Sequence, residues 1–211
     1  MPPALRPQAR HTLSCHLFLP HRVGRHNGRV QVHATSLPDV IVFEPTPHHD
    51  DRGFFTRTFD VEIAARYGID GASFVQDSQS RSKYGVVRGL HGRAGVGETK
   101  LVRCASGAIF DVLIDARAGS PTFGKHETFI LDDESFWHLY VPPGMLHGYQ
   151  VLTPFADVCY RIDRPHDPSE DLVIRYDDPD LAIDWPLRVT VVSERDAAAG
   201  AWAHLSKSLT G

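Results

Sequence analysis

Residues 100–115, KLVRCASGAIFDVLID, decide the fold. Residues 100–104 and 108–115 are apolar-rich runs of strand length, and Ser106-Gly107 between them reads as a tight hairpin turn. Working outward, similar runs occupy residues 86–91, 73–76, 54–59 and 40–43 upstream. Downstream they occupy residues 126–131, 137–141, 148–152, 157–162 and 172–175. Each is bounded by Gly, Pro, Asp or Ser. Many short, evenly spaced strands imply an all-β sandwich or barrel. Two helices are expected. One is a short helix at residues 61–67 that stops before Gly68. The other, at residues 194–208, has Ser193 as N-cap and Asp196 placed to return a capping bond. No internal repeat suggests a solenoid or propeller.

The chain has 211 residues, enough for one substantial domain, with 42% hydrophobic and 23% charged residues. No apolar run approaches the length needed to span a bilayer, so no membrane association is expected. Cys15, Cys104 and Cys159 are scattered without metal-binding or disulfide spacing, which fits a reducing cytoplasm. The net charge of −4 is uneven. Arg6, Arg10, Arg22, Arg25 and Arg29 lie before the first acid, Asp39, so the body is acidic and a nucleic-acid surface is not expected. The arginine-rich start could be a transit-like segment, a disordered tail or an over-long start. The expected division is a disordered extension at residues 1–36 and a folded domain at residues 37–211.

Within the body, Arg88-Gly89-Leu90-His91 puts an arginine and a histidine around a glycine on a strand. Simple alternation would send Arg88 and His91 to opposite faces, whereas a bulge at Gly89 would let both point inward. On its own, the motif reads more readily as a surface arginine beside a hydrogen-bonded, half-buried His91. Lys100 begins an apolar strand. It either reaches solvent or meets an anion inside. His147, Tyr149 and Val151 share one strand face, as do Val158, Tyr160 and Ile162. A buried Tyr160 hydroxyl is either a structural hydrogen-bonding group or a general acid. His91, Glu98 and His147 could form a three-ligand metal site. However, Arg93 stands where a second close histidine would be needed, and it would repel a cation.

Taken together and in order, several segments resemble the dTDP-4-dehydrorhamnose 3,5-epimerases, the sugar epimerases of the cupin superfamily. They are DVIVFEP (39–45), DRGFF (51–55), FVQDSQSRSKYGVVRGLH (74–91), the segment from Lys100 to Lys125, VPPGMLHGY (141–149), YDDPDLAIDWP (176–186) and SERDAAA (193–199). The resemblance implies a cupin-type jelly-roll β-barrel with a few short helices and a C-terminal helix. It implies an isomerase that needs no cofactor and no metal. Such an enzyme inverts carbon 3, carbon 5 or both in a dTDP-4-keto-6-deoxyhexose, by proton removal and return through an enolate.

By motif, the resemblance makes His91 the base, Asp196 its partner, Tyr160 the proton donor and Lys100 the cation facing the enolate oxygen. Substrate contacts fall on Arg52, Arg57, Gln76, Ser78, Arg88, His147, His166, Glu170 and Arg195. The implied partners are a nucleotide-diphosphate sugar and a second copy of the chain, since the family dimerises by strand pairing. Departures cluster near the ligand. Gly92 and Arg93 replace an aromatic residue and a glutamine after RGLH, Arg57 replaces a glutamate, Ser78 an asparagine, and His166 stands where an aromatic residue stacks on thymine. They leave open a mono-epimerase acting on another nucleotide sugar. A metal-dependent cupin dioxygenase or isomerase and a non-catalytic sugar-binding cupin are the alternatives from other classes.

Overall fold

The computed structural model describes residues 30–211 and the backbone of residues 21–26. Its strands are β1 (His21–His26), β2 (Val30–Ala34), β3 (Ile41–Pro45), β4 (His48–Asp50), β5 (Gly53–Phe55), β6 (Gln76–Lys83), β7 (Val87–Arg93) and β8 (Lys100–Ser106), followed by β9 (Ala108–Asp115), β10 (His126–Asp132), β11 (His138–Val141), β12 (Met145–Val151), β13 (Phe155–Ile162) and β14 (Asp171–Val173). One sheet has the order β1-β2-β3-β11-β8-β13-β6 and the other β10-β9-β12-β7-β14, with β4-β5 as a separate hairpin. Among the described residues, every pairing between these strands is antiparallel. Two facing sheets make the double-sheet jelly roll of the cupin type.

Strand β9 shows why this sequence builds two layers. Ile109 and Leu113 join the core between the sheets, packed with Val102, Leu139 and Val158 from the opposite wall. Phe110, Val112 and Ile114 face the other way and are covered by Leu181 and Trp202 from the C-terminal segment. A strand covered on both faces reads as a near-continuous apolar run, as residues 108–115 do. Each fully buried Leu or Ile is worth about 2 kcal/mol by area removed from water.

The folded domain begins before Leu37. Val30–Ala34 pairs along its length with β3, and His33 bonds Glu44 at 2.7 Å. The expected extension therefore loses its last residues to the sheet, because the alternation in VQVHA is too short to stand out in the sequence. Residues 1–20 and 27–29 of that extension lie outside the described residues.

Other expectations shift for local reasons. The strand expected at residues 73–76 lies instead at Gln76–Lys83, a polar edge strand held by β13 and by Arg81, which bonds Asp157 at 2.6–2.8 Å. The strand expected at residues 54–59 ends at Phe55. The single C-terminal helix is two, α2 (Glu194–Ala197) and α3 (Trp202–Thr210), while a short helix α1 (Val61–Ala65) forms near the start as expected. The break between α2 and α3 comes from Gly200, which bridges to Ile174 and accepts from the Arg175 N–H at 3.0 Å. Asp178, distant in sequence, then caps α3 by accepting from the Trp202 N–H at 2.8 Å.

Candidate active site

The bulge anticipated at Gly89 is present. His147 is opposite His91 and Tyr149 opposite Arg88, so three steps on β7 match two on β12. Gly89 has φ +124°, and a Cβ there would sit 2.5 Å from the Gly148 Cα, so only glycine fits this close strand approach. The extra residue turns Arg88 and His91 to one side, and both line a cavity of about 240 Å³ between the sheets.

His91 comes from the five-stranded sheet, and Tyr160 faces it from β13 in the seven-stranded sheet. Lys100, at the start of β8, belongs to Tyr160's sheet. Behind His91, its Nε2 is 2.7 Å from Asp196 Oδ1, and the other carboxylate oxygen accepts from the Gly89 N–H at 3.3 Å. Asp196 is 3% exposed. Ser193 caps α2 by accepting from the Asp196 N–H at 3.0 Å, and the Asp196 carboxylate turns to His91 instead of completing a reciprocal capping box. Burial raises the Asp196 pKa, but the bonds from His91, the Gly89 N–H and Ser193 outweigh it and hold the carboxyl below its ordinary range.

His147 lies beside His91, its Nε2 2.7 Å from Asp111 Oδ2, and Asp111 is wholly buried. Tyr149 completes this wall. Its hydroxyl is 2.8 Å from Ser80 Oγ, and burial pushes its pKa up to about 12. Lys100 is not a strand-end lysine in solvent. Its side chain is 14% exposed, with Nζ 2.8 Å from Glu98 Oε1. Arg88 donates to Ser82 Oγ at 2.8 Å, and Arg195 bonds Asp171 at 2.7 Å. His91, Glu98 and His147, the alternative metal-ligand set, each pair with other side chains: His91 with Asp196, Glu98 in ion pairs with Arg93 and Lys100, and His147 with Asp111.

Seven of the residues given catalytic or substrate-contact roles from sequence (His91, Tyr160, Lys100, Arg88, His147, His166 and Arg195) line this one cavity, with Asp196 directly behind it. Ser78 and Gln76 sit one strand further out, opposite Tyr160 and Ile162 in register. Glu170 turns to Arg164 at 2.9 Å, leaving its neighbour Asp171 on the cavity wall. Arg52 and Arg57 are elsewhere in this chain. Arg52 pairs with Asp50 in the exposed β4–β5 hairpin, and Arg57 pairs with Asp60 beside a second cavity of about 480 Å³. Sequence reasoning missed Asp111 and Asp171 as partners. Asp111 had a usable signal, being an acid at an inward position within an apolar run.

The family model for dTDP-4-dehydrorhamnose 3,5-epimerase matches residues 34–204. A relative of that name from Pseudomonas aeruginosa is 40% identical over 169 residues, covering 80% of this chain and 93% of the relative. The solved epimerase of Legionella pneumophila, in complex with dTDP-4-keto-L-rhamnose, is 38% identical with a TM-score of 0.81, covering 86% of this chain and 97% of that one. A 4-keto-6-deoxy sugar epimerase from the novobiocin cluster of Streptomyces spheroides is 33% identical with a TM-score of 0.82, covering 91% and 95%. With these matches over most of its length and its histidine–aspartate pair facing a tyrosine across one cavity, the chain belongs to the dTDP-4-dehydrorhamnose 3,5-epimerase family, isomerases of deoxysugar biosynthesis.

Proposed function

We propose that His91 removes a proton next to the keto group of a dTDP-4-keto-6-deoxyhexose and that Tyr160 returns one to the opposite face, inverting carbon 3, carbon 5 or both. The observation that carries this reading is the placement of the two groups on opposite sheets across one cavity. The C–H electron pair moves into the ring as an enolate, His91 takes the proton, and the charge gathers on the carbonyl oxygen. Lys100 supplies preorganised positive charge there. Asp196 stabilises the imidazolium that forms on His91. Tyr160 then donates its phenolic proton to carbon from the far side, and solvent resets both groups. Arg88 and Arg195 offer guanidinium forks suited to the diphosphate.

The reading extends to the assembly. The β4–β5 hairpin holds Phe54 and Phe55 at 57% and 70% exposure, with Arg52 at its tip and Arg57 just after it, both away from this chain's own cavity. In a homodimer the hairpin delivers these arginines to the partner's diphosphate site, which buries the two rings. No helix among the described residues is long and apolar enough to cross a membrane. The free thiols Cys104 and Cys159 support action in the cytoplasm.

Proton NMR of a dTDP-4-keto-6-deoxyhexose in deuterated water tests the chemistry. The wild type exchanges the carbon 3 proton, the carbon 5 proton or both, and His91→Ala abolishes the exchange. A wild type that exchanges neither refutes the reading. Sedimentation of the purified protein tests the dimer, and a monomer at micromolar concentration refutes that part.

A further inference from the structure

Arg93 stands two residues after His91 and lines the same cavity. Its side chain is 3% exposed. One terminal nitrogen donates to the Pro165 carbonyl at 2.9 Å. The other reaches His166 Nδ1 at 3.0 Å and Glu98 Oε2 at 2.9 Å. Both terminal nitrogens are thus engaged and only the buried Nε has no partner, so the charge of the guanidinium acts on the reaction mainly through the groups it pairs with. Glu98 is the informative one. Its second oxygen, Oε1, is 2.8 Å from Lys100 Nζ, so a single carboxylate bridges Arg93 on one sheet and Lys100 on the other.

The charge balance gives this bridge a consequence. Lys100 and Glu98 alone would form a neutral pair. A developing enolate oxygen would meet the carboxylate's repulsion almost as strongly as the ammonium's attraction. With Arg93 on the other carboxylate oxygen, the three groups carry a net single positive charge, and water is largely kept from them. The Pro165 and His166 bonds hold Arg93 in that geometry.

We propose that Arg93 is a positioning residue for the epimerisation, offsetting Glu98 so that Lys100 keeps an uncompensated charge for the enolate oxygen. This rests on the role given to Lys100 above. Arg93 and the buried Glu98 then act as one device, since either alone would change the charge of the cavity.

The test measures kcat and KM for R93Q, R93K and the double variant R93Q/E98Q, using the deuterium-exchange assay, with thermal melts to verify folding. R93Q is expected to lose roughly tenfold or more in kcat, with KM changed by less than about threefold. R93Q/E98Q removes both compensating charges, leaves Lys100 alone, and regains most of that rate. R93K keeps the charge and stays faster than R93Q. If Arg93 merely braced the wall, the double variant would be no better than R93Q, and that result overturns the proposal. An effect confined to KM also overturns it. Should R93Q fail to fold, R93K and the double variant still decide, because the proposal requires both to be active. A wild type without exchange would remove the functional reading itself, whereas an active wild type with an unaffected R93Q would remove only the role of Arg93.

Discussion

Replacing Asp196 with asparagine keeps the shape of the site and removes one charge. In the native site, one Asp196 oxygen accepts from the Gly89 N–H at 3.3 Å and the other is 2.7 Å from His91 Nε2. An asparagine can satisfy Gly89 only with its carbonyl oxygen, which turns its NH₂ toward His91. The NH₂ donates, so His91 Nε2 must accept, and the ring proton moves to Nδ1. The nitrogen left to face the substrate then carries a hydrogen and has no lone pair for the base. Even with the other tautomer, the imidazolium formed during proton transfer would lack its counter-charge. At about 4 Å between charge centres and an effective dielectric near 20, that loss is about 4 kcal/mol, or roughly a thousandfold in rate. The assay is deuterium incorporation at carbons 3 and 5 under saturating substrate. Equilibrium unfolding is followed in parallel, since Asp196 also pins the bulge. Asp196→Asn that is correctly folded and exchanges within about tenfold of the wild type would refute the argument.

Tyr160→Phe removes the proposed acid and leaves the base. Inversion should fall by roughly 10²–10⁴-fold while exchange of the abstracted proton with solvent falls much less, a split read from product stereochemistry and deuterium content in one NMR sample. His138, buried on β11, has its pKa pushed down to about 4, first by burial and then by Arg103 and Arg161, with a backbone bond at Thr58 partly opposing. The folded state thus binds fewer protons than the unfolded chain. Stability is full above about pH 6.5, declines by about 3 kcal/mol as the pH falls from about 6.5 to about 4, and levels off below that. Urea titrations across that window should show the decline, and His138→Asn should flatten it. Gly89→Ala forces a Cβ to within 2.5 Å of the Gly148 Cα at φ +124° and should destabilise the domain by at least about 2 kcal/mol, with exchange activity lost together with the bulge.

How much of this was legible depended on whether the controlling contact is local. Strand β9 was read to its exact ends because an apolar run buried on both faces carries its own signature. The bulge was legible because glycine between Arg88 and His91 leaves few ways to bring both inward. The polar β6 was not, since an edge strand is held by its neighbour β13 and needs no apolar face of its own. The helix break at Gly200 also escaped, because Arg175 claims the glycine carbonyl from 25 residues away in sequence. Asp196 shows the limit most clearly. Its partner His91 is 105 residues distant, so composition and spacing support only a capping role, and the family resemblance alone suggested the pairing. The same holds for Arg93. From sequence its charge argued only against a bound cation, which follows from a like-charge rule and needs no geometry. That Glu98 lies between it and Lys100 is a fact of the folded cavity, and it changes the sign of the reading: a cation that repels metals becomes, in the proposed mechanism, one that lets a second cation act on an enolate.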